Sequence, residues 1–97
     1  MTIKQSIVRH IISLGDVSLK CAEISVINWD EQDMDDYRLP VDYTQEEIDK
    51  FMDDLDYTRE NSVIVTGTLW FTDGSFSISN GGFVHNLAPD IPNELKR

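Results

Sequence analysis

Residues 44–47 carry the clearest local structural signal in the chain. The run Thr-Gln-Glu-Glu is typical of a capping box, in which the Thr44 and Glu47 side chains each accept a hydrogen bond from a backbone N–H at the start of a helix. Apolar residues then follow at helical spacing, namely Ile48, Phe51, Met52 and Leu55. The pattern predicts a helix from about Gln45 to about Tyr57, with one apolar stripe that must be buried against another element.

The chain before this helix is rich in residues that favour β-strands. Residues 3–14 are compatible with a helix or a strand, and their β-branched side chains favour a strand. A Gly-Asp pair then interrupts the chain, and residues 17–29 alternate apolar with polar residues as a second strand. These two segments predict a hairpin. The alternation changes face once, which indicates a bulge near Ala22.

The remaining segments complete the predicted order of elements. Residues 30–43 lack apolar periodicity and predict an irregular connection into the helix. After the helix, alternating segments predict strands at Ser62–Thr72 and Ser75–Ser79, with a short final strand at Phe83–Leu87. Asp73-Gly74 and residues 80–82 predict the turns between them. Residues 88–97 contain prolines that cannot continue a central strand, so a packed coil or one helical turn is expected.

These elements predict an α+β fold, with an antiparallel sheet of four to five strands packed on one helix in the order β-β-α-β-β. A chain of 97 residues, 40% of them hydrophobic, suffices for one modest core, so residues 1–97 are expected to form a single domain. The single cysteine, Cys21, excludes an internal disulfide and a cysteine-based zinc site, and its position predicts a small core residue.

We expect a cytoplasmic protein, in the host cell if a phage encodes it. No apolar run is long enough for a transmembrane helix. The first residues also lack the layout of a signal peptide.

The two tryptophans, Trp29 and Trp70, are candidates for a partner contact. Trp70 is predicted on one face of its strand, opposite a row formed by Val63, Val65, Leu69 and Phe71. Either both faces of that strand are therefore buried, or one of them is exposed. We hypothesise that one tryptophan is partly exposed, with burial of both as the alternative.

All of the net charge lies in one third of the chain. Residues 29–60 contain 13 acidic and 3 basic residues, whereas the rest of the chain contains five of each, so the formal charge of -10 belongs to this block. Direct binding to a nucleic-acid backbone is disfavoured, because it requires lysine and arginine. The block is either a solvated face that keeps the protein soluble or a surface that meets a basic partner.

The residues that would carry catalysis or bind a metal are not present in a recognisable pattern. Neither histidine, His10 or His85, has ligand spacing, and each is predicted within a strand. An EF-hand loop beginning at Asp33 fails, because Arg38 and Thr44 replace its required glycine and glutamate. We therefore expect no enzymatic activity, no catalytic residue, no cofactor and no metal site.

The acids of the predicted helix form a regular row. Glu46, Asp49, Asp53 and Asp56 recur at spacings of three and four residues, beside the apolar stripe. Successive members are about 4.5–6 Å apart along the helix axis. Phosphates on one DNA strand recur at about 3.4 Å of axis, a similar order. A cleft built to hold phosphates would therefore meet carboxylates at tolerable positions.

The chain resembles the small acidic proteins of phages and mobile elements that imitate nucleic acid. Such proteins include anti-CRISPR proteins, anti-restriction proteins and glycosylase inhibitors. The resemblance lies in the acidic run of residues 30–36 and the acidic helix of residues 46–56, about a third of the chain. It implies an inhibitor that blocks the basic cleft of a nucleic-acid-binding protein or ribonucleoprotein complex, with multisubunit CRISPR surveillance complexes as the first candidates. The expected partner-binding residues are Asp30, Glu31, Asp33, Asp35, Asp36, Glu46, Asp49, Asp53, Asp54 and Asp56.

One alternative belongs to another class of function. A small interaction domain or assembly subunit would use a sheet edge or the tryptophans for its contact, and its acidic face would be only solvated. Neither reading involves a membrane or direct contact with nucleic acid.

Overall fold

A computed structural model describes residues 2–28, 30–56, 62–79, 82–87 and 90–96, which form two helices and a five-stranded antiparallel sheet. In chain order the elements are α1 (Ile3–Ser13), β1 (Leu19–Asn28), β2 (Asp33–Leu39), α2 (Gln45–Asp56), β3 (Ser62–Phe71), β4 (Ser75–Ser79), β5 (Phe83–Leu87) and a 3-10 turn (Asn93–Leu95). The strands lie side by side in the order β2-β1-β3-β4-β5. The α+β class and the fifth strand are confirmed, whereas the order β-β-α-β-β with one helix is corrected to α-β-β-α-β-β-β.

The first element is a helix, so the strand predicted over residues 3–14 is wrong, as is its hairpin with the next strand. Thr2 and Gln5 form a capping box: the Thr2 hydroxyl accepts from the Gln5 N–H (3.2 Å), and the Gln5 side chain accepts from the Thr2 N–H (2.9 Å). One stripe at helical spacing packs into the core, formed by Ile3, Ile7, Ile11 and Leu14. This stripe places α1 on the same face of the sheet as α2.

Strand β2 occupies half of residues 30–43, the segment predicted as an irregular connection. It pairs antiparallel with β1 from Ala22–Leu39 to Asn28–Asp33. The reversal between the strands is held by Asn28, whose side-chain oxygen accepts from the N–H groups of Asp30 (3.0 Å) and Glu31 (3.1 Å). Because β2 is an edge strand, its acidic residues can reach solvent while Leu39 is buried.

Helix α2 begins as the sequence predicts. The Thr44 hydroxyl accepts from the Glu47 N–H (3.2 Å), and the Glu47 carboxylate accepts from the Thr44 N–H (3.1 Å). Phe51 and Leu55 are buried against the sheet, while Met52 is half-buried. The packing of this helix is confirmed, but α2 shares the face with α1 and is not the only long helix.

Two irregularities in the β1–β3 ladder decide which side chains face the helices. The first lies between Leu19 and Cys21, close to the predicted bulge, and the second lies between Ser25 and Val26. The second pairs Val26 with Ile64, so Ile64 joins the core under the helices. The predicted row that joined Val63 and Val65 to Leu69 and Phe71 is therefore wrong, and both valines are exposed.

A smaller core lies on the other face of the sheet, under the end of the chain. Cys21, Trp70, Phe76 and Leu95 form it, which confirms the predicted burial of the cysteine and the helical turn in the tail. Burial raises the pKa of the Cys21 thiol to about 11. Trp70 is 6% exposed, and its Nε1 has no hydrogen-bond partner among the residues that the structure describes. Trp29 lies outside the described residues, so the hypothesis of one exposed tryptophan stays a prediction.

Candidate acidic partner interface

The ten candidate acids lie on three consecutive parts of the fold. Asp30 and Glu31 are exposed in the β1–β2 turn, and three exposed acids follow on β2, namely Asp33, Asp35 and Asp36. On α2, Glu46, Asp49 and Asp53 are exposed and Asp54 is half-buried. Asp56 is the last residue of α2, and its side chain lies outside the described residues.

Tyr37 shows that the acids of β2 and α2 converge. Its side chain is half-buried and packs against the main core. Burial raises the pKa of the Tyr37 phenol, and the nearby carboxylates of Asp35 on β2 and Asp54 on α2 raise it further. Both carboxylates are thus close enough to act on one hydroxyl. The described acids of β2 and α2 are together called here the acidic edge: Asp33, Asp35, Asp36, Glu46, Asp49, Asp53 and Asp54.

The acids of β2 lie on both faces of the sheet along its free edge. Asp35 pairs with the buried Val26 and so lies on the helix-covered face of the sheet, whereas Asp36 pairs with Ser25 on the opposite face. The Ser25 hydroxyl donates to the Asp36 carboxylate. The carboxylates of β2 therefore lie on both faces of the sheet margin.

A shallow groove of about 250 Å³ separates β2 from α2. Asp36, Tyr37 and Arg38 line it from the strand, and Lys50 and Asp54 line it from the helix. The volume is below the roughly 300–1,000 Å³ of typical small-molecule sites. This geometry suits the side chains of a macromolecular partner better than an enclosed ligand.

The two cations of this region are already engaged. Lys50 donates to Asp54 one helical turn away (3.1 Å), and Arg38 forms an ion pair with Glu23 on β1 (3.2 Å). Both pairs are largely solvent-exposed, so each contributes about 0–1 kcal/mol to stability. They hold the two cations beside acids of this chain, which leaves the acidic edge with a strong negative excess.

A polar network that the sequence analysis missed joins α1 to the β4–β5 hairpin. Ser77 Oγ is hydrogen-bonded to His10 Nε2 (2.7 Å) and to His85 Nδ1 (3.1 Å), and Ser77 is fully buried. The His10 ring also stacks on Phe83 at a centroid distance of 5.0 Å. His10 lies in a helix and not in the predicted strand. The two histidines are 75 positions apart, so only the helix–sheet packing brings them together.

This network predicts a loss of stability in mild acid. Burial, and secondly the nearby His85, holds the pKa of His10 below its ordinary value of 6.5. The unfolded chain then binds a proton at a pH where the folded chain does not. The contribution of His10 is therefore fully present above about pH 6.5 and is lost as the pH falls through the folded-state pKa. Urea unfolding at a series of pH values between 7.5 and 5 measures this loss.

The control for this measurement is His10→Gln, which keeps a hydrogen-bonding group near Ser77 but does not titrate. We expect the variant to lose less stability than the wild type over the same pH range. Equal losses in the two proteins would show that His10 is not responsible.

No protein-family model matches the chain, and no curated protein or solved structure shows significant similarity to it. Within the part of the chain that the structure describes, no helix is long and apolar enough to cross a membrane. The same residues contain no group of three or more histidine, cysteine or acidic side chains placed to hold a metal ion. The proposed function consequently depends on the geometry and charge of the acidic edge.

Proposed function

We propose that this is a non-catalytic binding protein whose acidic edge occupies the basic, nucleic-acid-binding cleft of a partner protein or ribonucleoprotein complex. The observation that carries the proposal is that acids of β2 and α2 meet beside Tyr37: Asp36 and Asp54 line one groove, and the Asp35 and Asp54 carboxylates both raise the pKa of the Tyr37 phenol. The chain outside residues 29–60 has no net charge, so the negative charge belongs to the segment that contains β2 and α2. A multisubunit CRISPR surveillance complex is the first candidate partner, because such a complex holds nucleic acid in a long positively charged channel.

The acids are held on a rigid support, which favours a specific contact over diffuse attraction. Those of β2 are fixed by a ladder of seven residue pairs to β1. Those of α2 are fixed by a capped helix whose Phe51 and Leu55 are buried. Carboxylates held in this way require little ordering when a basic cleft closes on them, so less conformational entropy is lost on binding.

The acidic edge also suits rapid association. A negatively charged surface associates faster with a positively charged cleft, and this gain in association rate falls as salt screens the charges. Since exposed ion pairs are individually weak, affinity would arise from many pairs acting together. A partner that binds DNA or RNA already presents such a series of lysines and arginines.

Competition for the cleft tests the proposal directly. The protein is used to capture its partner from a host lysate at low salt, and the purified partner is then mixed with fluorescent DNA or RNA. We expect the protein to displace the nucleic acid, and its own affinity to fall steeply as salt rises. A partner that retains its nucleic acid while this protein is bound would contradict the proposal.

A second candidate function is that of a small interaction domain, which the other margin of the sheet favours. Val84 on β5 and its neighbour Ile78 on β4 are exposed apolar residues on the face opposite the helices. A contact through these residues would depend little on salt, because it would bury apolar area and pair few charges. The salt dependence of the captured complex therefore distinguishes the two functions.

A further inference from the structure

The two margins of the sheet differ in charge. Both β2 and β5 are edge strands. Residues 33–39 of β2 include three aspartates and an arginine, whereas residues 83–87 of β5 are Phe-Val-His-Asn-Leu, with no Asp, Glu, Lys or Arg. Charged side chains on an edge strand oppose pairing with another chain, and an edge without them is a template for it. The acidic edge is thus protected, and β5 lacks this protection.

Strand β5 also exposes large apolar side chains. Leu87 is 90% exposed and Val84 is 50% exposed. Val84 lies opposite Ile78 on β4, which is 40% exposed. Because side chains alternate between the two faces, a strand added at this edge would cover Leu87 on one face of the sheet and Val84 on the other.

The backbone of β5 has hydrogen-bonding groups on its free side. The Thr72 N–H donates to the Ser18 carbonyl oxygen just before β1, so the backbone groups of Thr72 face β1. Because these groups alternate in direction along an antiparallel strand, Leu69 on β3 and its partner Ser77 on β4 face each other, and Val84 and Asn86 on β5 face β4. The N–H and C=O groups of Phe83, His85 and Leu87 therefore lie on the free side. Among the described residues, β5 pairs only with β4.

We propose that β5 pairs antiparallel with β5 of a second copy, which joins two sheets into one of ten strands. With the twofold axis at His85, Phe83 lies opposite the partner's Leu87 on the helix-covered face, and these two residues exchange backbone hydrogen bonds. This register covers the most exposed leucine of the chain with an aromatic ring.

Charge favours a second copy as the occupant of this edge. The β5 edge is neutral and self-complementary, while the acidic edge lies at the far side of the sheet. Strands are spaced about 4.8 Å apart, so the two acidic edges of a ten-stranded sheet would be about 40 Å apart. The Debye length is about 8 Å at physiological salt. Repulsion between the acidic edges is therefore screened and does not oppose this pairing.

The expected dimer is weak. A contact between two strands of five residues buries less than the roughly 800 Å² per partner that stable complexes use. We therefore expect transient association, at the small end of protein–protein interfaces. The inference does not depend on the proposed function, since the acidic edge stays accessible in both copies.

Sedimentation equilibrium between about 10 µM and about 1 mM, a range that brackets weak association, tests the proposal. We expect the mass to rise from 11.1 kDa towards twice that value as concentration increases. Leu87→Lys is expected to weaken self-association at least about tenfold, because it removes the apolar pair with Phe83 and adds a charge to the edge. Leu87 is 90% exposed, so this variant should fold normally.

The matched control is Ile12→Lys, which makes the same change in charge at a residue of α1 that is 71% exposed. We expect it to dimerise like the wild type. A mass of 11.1 kDa at every concentration would overturn the proposal, as would a dimer that Leu87→Lys leaves intact or that Ile12→Lys weakens equally.

Discussion

Phe51→Ala is expected to lower the free energy of unfolding by about 3–5 kcal/mol. The Phe51 side chain is 4% exposed and belongs to the core that α2 shares with the sheet. Its removal loses the transfer free energy of a buried ring and leaves a cavity that the neighbouring side chains fill only in part. Since domains of this size have total stabilities of about 5–15 kcal/mol, the variant should be close to its unfolding midpoint in low urea.

Met52→Ala is the matched control, because Met52 lies one position further along the same helix and is half-buried. We expect it to cost less than Phe51→Ala, since less apolar area is returned to water. Urea unfolding followed by circular dichroism measures both variants. A loss below about 1 kcal/mol for Phe51→Ala would show that the packing of α2 on the sheet is not as described.

Reversing the charge of three acids on the acidic edge is expected to abolish most of the partner affinity. In the triple variant Asp35→Lys, Asp49→Lys and Asp53→Lys, each attraction to a basic cleft becomes a repulsion. Single neutral substitutions should be almost silent, because an exposed pair is worth about 0–1 kcal/mol. The three reversals together should cost about 3 kcal/mol, or roughly a hundredfold in the dissociation constant.

A control variant with the same net charge separates the effect of where the acids lie from the effect of how many there are. Asp16, Asp90 and Glu94 are exposed and lie outside the acidic block, so reversing them also changes the net charge from -10 to -4. We expect this control to keep nearly full affinity at moderate salt. Equal losses in the two triple variants would indicate a non-specific effect of net charge, and intact binding in both would contradict the proposed function.

Stability should separate this effect from unfolding. Reversal on the acidic edge relieves crowding of like charges, so the free energy of unfolding should stay the same or rise. Glu47 is left unchanged, because its carboxylate accepts from the Thr44 N–H and caps α2. Its loss would confuse weaker binding with a frayed helix.

Local signals in the sequence determined much of the helix and strand pattern. The capping box at Thr44 and the stripe containing Phe51 predicted α2, and period-two alternation predicted β3, β4 and β5. The alternation of residues 17–29 predicted the burial of Cys21. A count of charged residues located the net charge in residues 29–60. These features are readable because each depends on residues that are close together in the chain.

The tertiary structure decided the identity of β2, and it decided that of α1, whose sequence carries both a Thr2–Gln5 capping box and β-branched residues. The β-branched residues of α1 lose at most about 0.7 kcal/mol each in a helix, whereas burying an isoleucine such as Ile7 against the sheet gains about 1.5–3 kcal/mol. The acidic segment 33–39 becomes a strand because β1 offers it a ladder and an edge position leaves its carboxylates in water. The approach of Asp35 and Asp54 to Tyr37 and the bonding of Ser77 to His10 and His85 follow from that packing. Contacts between distant residues depend on which faces the helices and strands bury, and local propensity does not specify this.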